Sequence, residues 1–167
     1  MAYIVLILFS ALMLYVTYSD LTSYTLPNFI SILLVVGFCL VMLIIQPPLA
    51  AFGWHVGVGA ILFVVGFVLF ATGLFGGGDV KVIAALGLWL GPSNVLPFIT
   101  MMAILGGVLA LALLIFRKIK IPQNWLKNSA IAGLHSKEEG IPYGVAIAFA
   151  ALIEFPKTEI LARISAL

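Results

Sequence analysis

Six apolar runs, separated by short polar or glycine- and proline-bearing breaks, constrain this chain more than any other feature. They are Ala2 to Tyr18, Phe29 to Ile45, Trp54 to Phe75, Val80 to Leu90, Val95 to Phe116 and Ile141 to Phe155. A helix needs about 20 apolar residues, range about 17 to 25, to cross a hydrocarbon layer, and four of the runs reach or approach that length. Two are shorter. Val80 to Leu90 rises only about 17 Å at 1.5 Å per residue, so it crosses alone only by recruiting the glycines before it and Gly91-Pro92-Ser93 after it. In lipid the backbone must satisfy its own polar groups, which leaves helices or closed barrels, and runs this long without alternation are helical. The expectation is an all-α polytopic membrane bundle of about six transmembrane helices, one of them short or re-entrant, in a single integral-membrane domain spanning residues 1 to 167.

Composition excludes the main competitors. Only 8% of the 167 residues are charged and 64% are hydrophobic, whereas soluble domains carry about 25% charged residues. No soluble domain is expected, and lipid is the expected surroundings. A net charge of +2 without a Lys/Arg-rich run argues against nucleic acid as a partner. The single cysteine, Cys39, allows no disulfide framework or zinc set, and its place in an apolar run predicts a small buried hydrophobe. Ala2 to Tyr18 lacks the basic flank and small-residue cleavage site of a secretory signal, so it reads as a retained first span.

The charges give an independent test of topology. With six crossings, the connections 19 to 28, 76 to 81 and 117 to 140 share one side and hold Lys81, Arg117, Lys118, Lys120, Lys127 and Lys137, while Lys157 and Arg163 fall on the other. The basic excess places the first group in the cytoplasm and both termini outside. If Val80 to Leu90 is instead re-entrant, residues 117 to 140 move across the membrane. Trp54 and Trp89 fall at outer interfaces, and Tyr18, Tyr24 and Tyr143 at inner ones, as aromatic belts require.

Two aspartates, Asp20 and Asp79, stand at the cytoplasmic helix ends. The glutamates read differently: Glu138 and Glu139 lie beside Lys137 in a polar loop, Glu159 is placed to pair with Arg163, and Glu154 to snorkel at the outer interface. Asp79 has a structural explanation, since its carboxylate can cap a helix beginning at Val80 by accepting from N–H groups two or three residues on. On capping and membrane cost alone the structural and functional readings stand level. The preceding Gly76, Gly77 and Gly78 separate them, because a cap needs no such run, and three missing side chains clear space for a second backbone, as a peptide strand requires. Around Asp20, YSDLTSYTLPNFIS closes one helix and opens the next with Pro27 and Asn28, residues suited to a helix start.

Two opposed carboxylates suffice for aspartic proteolysis. Sharing one proton, they let one act as base toward a water while the other protonates the carbonyl or the leaving group. No cofactor or metal is required. Helix dipoles suggest a division of labour, with Asp79 at a helix N-terminus as the carboxylate and Asp20 at a C-terminus as the acid.

These pieces together resemble a known family. Gly76-x-Gly78-Asp79 resembles the GxGD motif of polytopic aspartic peptidases. Asp20-Leu21 followed by Leu26-Pro27-Asn28, with GIPYGVAIA from Gly140 to Ala148, is similar to the prepilin (type IV leader) peptidases, most of all the short tight-adherence (Flp-pilus) form. The resemblance implies a bacterial inner-membrane endopeptidase that removes a short basic leader from prepilin-like precursors at the cytoplasmic face, among pilus or secretion assembly machinery. It implies Asp20 and Asp79 as the catalytic pair. Gly76, Gly77, Gly78, Pro27, Asn28, Lys81, Pro142, Tyr143 and Gly144 are the candidate substrate-binding or site-shaping residues.

The chain departs from larger relatives in lacking a cysteine tetrad and a long loop after the first span, so amino-terminal methylation is expected to be absent. Thr22, Ser23, Tyr24 and Thr25 stand where relatives often carry a basic residue.

Other residues have plainer readings. Lys81, about 200° round a helix from Asp79, reads as an interfacial anchor. His55 and His135 lie outside the aspartate segments. The sets Gly53, Gly57 and Ala60, Ala103 and Gly107, and Gly87 and Gly91 suggest close helix packing. The segment 117 to 140, with Ile121, Trp125, Leu126 and Leu134 among its lysines, suggests an interfacial stretch. The alternatives to a peptidase are a small transporter or channel using the aspartates for cations, and a non-catalytic assembly subunit.

Overall fold

The computed structural model describes residues 1–120, 122, 124, 129–136 and 140–166, with only the backbone at 129 and 130. The readings made for Ile121, Trp125, Leu126, Lys127, Lys137, Glu138 and Glu139 lie outside the described residues. Among the described residues seven α-helices follow one another: α1 (Ala2–Ser23), α2 (Asn28–Ile45), α3 (Leu49–Ala71), α4 (Gly77–Phe116), α5 (Ser129–His135), α6 (Tyr143–Glu154) and α7 (Glu159–Ser165), with a 3₁₀ turn at Phe155–Lys157 before the last. Among the described residues there is no strand. The first four helices are long and apolar enough to cross a membrane. The fold is therefore the expected all-helical membrane bundle.

The fourth helix joins what the sequence separates. Its 40 residues fuse the runs Val80 to Leu90 and Val95 to Phe116. Straight, it would extend about 60 Å, twice the thickness of a hydrocarbon core. It breaks at Gly91, whose φ of 63° and ψ of −173° lie outside the helical region. The second limb then runs back: the Tyr143 ring packs against both Phe75 and the Cα of Gly106, so residue 106 has returned to the level of residue 75. The first limb does recruit the glycines before Val80, since the helix starts at Gly77.

The break is held by a substitute hydrogen bond. Pro92 has no N–H, so the Leu88 carbonyl loses its partner four residues on. The Nδ1 of buried His55 stands 2.7 Å from that carbonyl. Because a carbonyl only accepts, the imidazole carries its proton on Nδ1. A Cβ at Gly91 would sit 2.5 Å from the same ring, so both the positive φ and the packing call for glycine.

The first limb of α4 lies antiparallel along α3 at near-backbone contact. A Cβ on Gly87 would come within 3.2 Å of the Gly59 Cα, and one on Gly66 within 2.8 Å of Val80. Gly87 and Gly91 thus pack closely, as expected. The other proposed stripes do not: Gly53, Gly57 and Gly107 meet nothing within 4 Å, and Ala60 and Ala103 are exposed.

Four further expectations are corrected. Trp89 is buried in the core, donating from Nε1 to the Leu34 carbonyl at 2.9 Å and packing among Phe9, Phe38 and Phe155, whereas Trp54 is exposed as a belt residue is. Cys39 is exposed, one position beyond the buried stripe of Ile30, Leu34 and Phe38. The physical reason is common to both: lipid is as apolar as a core, so hydrophobicity does not report which way a side chain faces. Glu154 does not snorkel but is buried, with Lys157 Nζ at 2.7 Å. Glu159 accepts from Ser93 Oγ at 3.2 Å instead of pairing with Arg163, because α7 folds back over the break in α4.

Replacing His55 with Phe is expected to lower stability by about 1–3 kcal/mol, the usual cost of an unsatisfied buried carbonyl. Thermal unfolding in detergent measures this. Gly53→Ala, where a methyl meets nothing within 4 Å, serves as the neutral comparison.

Candidate active site

Asp20 lies in the last turn of α1 and is buried at 5% exposure. The helix ends because Tyr24 adopts the left-handed conformation at φ 52° while its N–H still reaches the Asp20 carbonyl. Hydroxyls then serve neighbouring carbonyls: Thr22 Oγ1 donates to Tyr18 O at 2.8 Å, Ser23 Oγ to Ser19 O at 2.7 Å, and Ser19 Oγ to Thr25 O at 2.9 Å. The Thr22 and Ser23 hydroxyls thus bond back one turn along the helix, while Ser19 ties the end of α1 to the connection that follows. Beyond it the chain turns through Leu26 to Pro27, the residue capping α2.

Asp79 is the third residue of α4, behind Gly76 at the cap position. The expected direction of capping is reversed: the helix begins before Asp79, and its carboxylate turns back toward the Gly76 N–H. This is the return half of a capping box, the third residue serving the cap's own amide. The glycines are likewise occupied from within the chain. A Cβ on Gly78 would lie 2.9 Å from the Leu26 carbonyl oxygen, one on Gly77 3.3 Å from the Phe70 ring, and one on Gly76 3.0 Å from the Asp79 carboxylate. The backbone that Gly78 admits here is the α1–α2 connection.

That contact brings the two aspartate segments together, and α6 completes the arrangement. Gly144 N donates to Asp20 Oδ2 at 2.6 Å, across 124 positions of sequence, with the Val145 amide beside it. These amides belong to the first turn of α6, which opens behind Pro142. Asp20 therefore occupies a helix N-terminus, a favourable place for an anion. Gly144 is required sterically, since a Cβ there would stand 2.8 Å from Oδ2. Asp79 lies within direct electrostatic reach of Asp20, and Tyr143 within reach of Asp79. The proposed division of roles by helix dipole loses its asymmetry, because each aspartate sits at a helix N-terminus.

The remaining candidates surround this pair. Lys81 Nζ donates to Asn28 Oδ1 at 2.8 Å, tying α4 to α2. Asn28 is thus not a side-chain cap; the cap position is Pro27. Tyr143 meets Phe75 edge-on, with ring centroids 5.6 Å apart. Arg117 anchors the approach to α6, donating from Nε to Leu134 O at 2.9 Å and from Nη2 to Gly140 O at 3.0 Å. His55 stands at the far end beside Gly91, and His135 packs on Phe116 with centroids 5.4 Å apart. Among the described residues no three His, Cys, Asp or Glu side chains gather to hold a metal.

Sequence reasoning missed Leu26, Phe75, Gly106 and Val145 as parts of this site. Gly106 adjoins Gly107, and nothing local distinguishes the glycine that receives a tyrosine from the one that faces outward.

Comparison with known proteins identifies the family. The model of the type IV leader peptidase family matches residues 7–111, more than half of the chain, including Asp20, Pro27, Asn28 and Gly76 to Asp79. No curated protein and no solved structure matches. A chain whose matched segment carries both aspartates on adjoining helix ends belongs to the type IV leader, or prepilin, peptidase family.

Proposed function

We propose that the chain is an aspartic endopeptidase that cleaves the short basic leader from prepilin-like precursors, with Asp20 and Asp79 as the reacting pair. The observation that carries this reading is their convergence: carboxylates from α1 and α4 lie within electrostatic reach of one another, each against a backbone amide. A water between them loses a proton to one carboxylate as its oxygen attacks the scissile carbonyl. The other carboxylic acid protonates the carbonyl oxygen; the C–N bond then breaks as the amine takes the proton held by the first carboxyl group and the hydroxyl returns its proton to the second carboxylate. Backbone anchoring fixes both groups before substrate arrives, which lowers the orientation cost of the reaction.

Gly76, Gly77, Gly78 and Gly144 allow the approach of these segments, while Pro27, Asn28, Lys81 and Pro142 hold the helix starts that carry it. Lys81, Arg117, Lys118 and Lys120 gather at the aspartate end, and Lys157 and Arg163 lie towards the other, so the positive-inside rule supports a cytoplasmic site in a bacterial inner membrane. Six crossings accord with the return of the second limb of α4. The single cysteine supports a peptidase of the tight-adherence type without methyl transfer, acting beside pilus or secretion machinery.

Three variants test the assignment when the chain is co-expressed with prepilin precursors and precursor size is followed. Asp20→Asn and Asp79→Asn are each expected to slow cleavage by at least about 100-fold. Either variant cutting at the wild-type rate ends the dyad reading, and a transporter or assembly subunit leaves every precursor uncut. Gly144→Ala is expected to lower kcat by about 10- to 100-fold by displacing the Asp20 carboxylate. Gly107→Ala, with open space at its Cβ, cleaves as wild type.

A further inference from the structure

Tyr143 is held more closely than a tyrosine anchoring a helix at an interface requires. Its ring stands edge-on to Phe75 on one side. On the other, α4 presents Gly106, where a Cβ would come within 2.5 Å of Cε2, Cζ and Oη together. The residue is half-buried, and its immediate neighbour Gly144 holds Asp20 through the backbone. The ring is thus fixed between Phe75, just before α4, and the second limb of α4, one residue from the amide that holds Asp20.

Packing explains the ring and leaves the hydroxyl unexplained. Elsewhere in the bundle inward polar groups find acceptors: Trp89 Nε1 donates to Leu34 O, His55 Nδ1 to Leu88 O, and Ser19 Oγ to Thr25 O. Among the described residues Tyr143 Oη has no hydrogen-bond partner, yet it is not one of the polar atoms sealed from solvent. An O–H on a ring held in place, not sealed from solvent and uncommitted among the described residues, within electrostatic reach of Asp79, is available to an incoming acceptor. In peptide hydrolysis that acceptor is the scissile carbonyl oxygen, which gains negative charge as water adds to its carbon.

We infer that Tyr143 is a catalytic residue, whose Oη donates a hydrogen bond to the scissile carbonyl oxygen and stabilises the charge developing there. This rests on the dyad reading given above. The phenol keeps its proton throughout: the water proton passes to one carboxylate, the carbonyl oxygen takes its proton from the other, and the tyrosine contributes only the hydrogen bond. Such a bond strengthens toward the transition state, so its loss appears in kcat more than in KM.

The test uses the purified full chain in detergent with a prepilin precursor. Tyr143→Phe keeps the ring on Phe75 and Gly106 and removes only the hydroxyl; kcat is expected to fall about 100-fold, on the scale of a lost oxyanion donor, with KM within about twofold of wild type. Its unfolding midpoint is expected to match wild type. Fluorotyrosine placed at position 143 retains the donor and is expected to restore kcat. Wild-type kcat for Tyr143→Phe, a change confined to KM, or a fluorotyrosine protein as slow as the Phe variant overturns the inference. Inactive Asp20→Asn and Asp79→Asn proteins beside a fully active Tyr143→Phe protein defeat the tyrosine role alone, whereas active aspartate variants defeat the dyad itself.

Discussion

The hydrogen bond from Gly144 N to the Asp20 carboxylate is the constraint on which the aspartate end of the bundle depends. It joins the last turn of α1 to the first turn of α6, and it does so by placing a side chain where a helix would otherwise leave amides without partners. In water such amides are solvated at little cost, but in a bundle surrounded by lipid each buried polar group needs a partner within the protein. The need of α6 for an acceptor and the need of Asp20 for a donor are met by one contact. Asp79 repeats the solution locally by turning back to Gly76. Both members of the proposed dyad are therefore also structural capping groups, and the choice between cap and site posed by the sequence is not a choice between alternatives.

Glycine makes these contacts possible, and it acts by close approach at several points. Gly78 admits the Leu26 backbone, Gly144 the Asp20 carboxylate, Gly106 the Tyr143 ring, and Gly91 the His55 ring. In each case the partner comes from a segment distant in sequence. A methyl group at any of the four would separate elements whose relative position defines either the site or the break that returns α4 toward it.

The broad architecture was legible because lipid imposes long apolar helices, and those runs are visible without alignment. The aspartate segments were legible because charge is rare enough in such a chain to stand out. Orientation around each helix was not legible, since the bundle interior and the lipid are equally apolar: Cys39 faces outward, and Trp89 inward. That the α1–α2 connection returns to Gly78 was not legible, because it is a tertiary fact with no local signal. Likewise the helix signal at Val80 could not reveal that the helix begins at Gly77 and that the capping runs backward. Gly106 and Gly107 differ only in which faces a neighbour, and the fold alone decides that.

The two ends of the first limb of α4 explain how a small bundle can hold a reacting group still. At one end Gly78 is pressed by Leu26, and Lys81 is tied to Asn28; at the other, His55 replaces the amide that Pro92 lacks. Between them Gly87 packs on Gly59 with almost no side chain intervening. A limb fixed along its length carries Asp79 as a rigid extension of α3, so displacement of that carboxylate would require movement of the α3–α4 pair. Asp20 is fixed through a different element, α6. The separation of the proposed pair is consequently set by how α6 docks on α4, and Tyr143, lodged between Phe75 and the second limb, stands at that junction. The same contact that fixes the distance between the aspartates thus presents the hydroxyl inferred to meet the substrate.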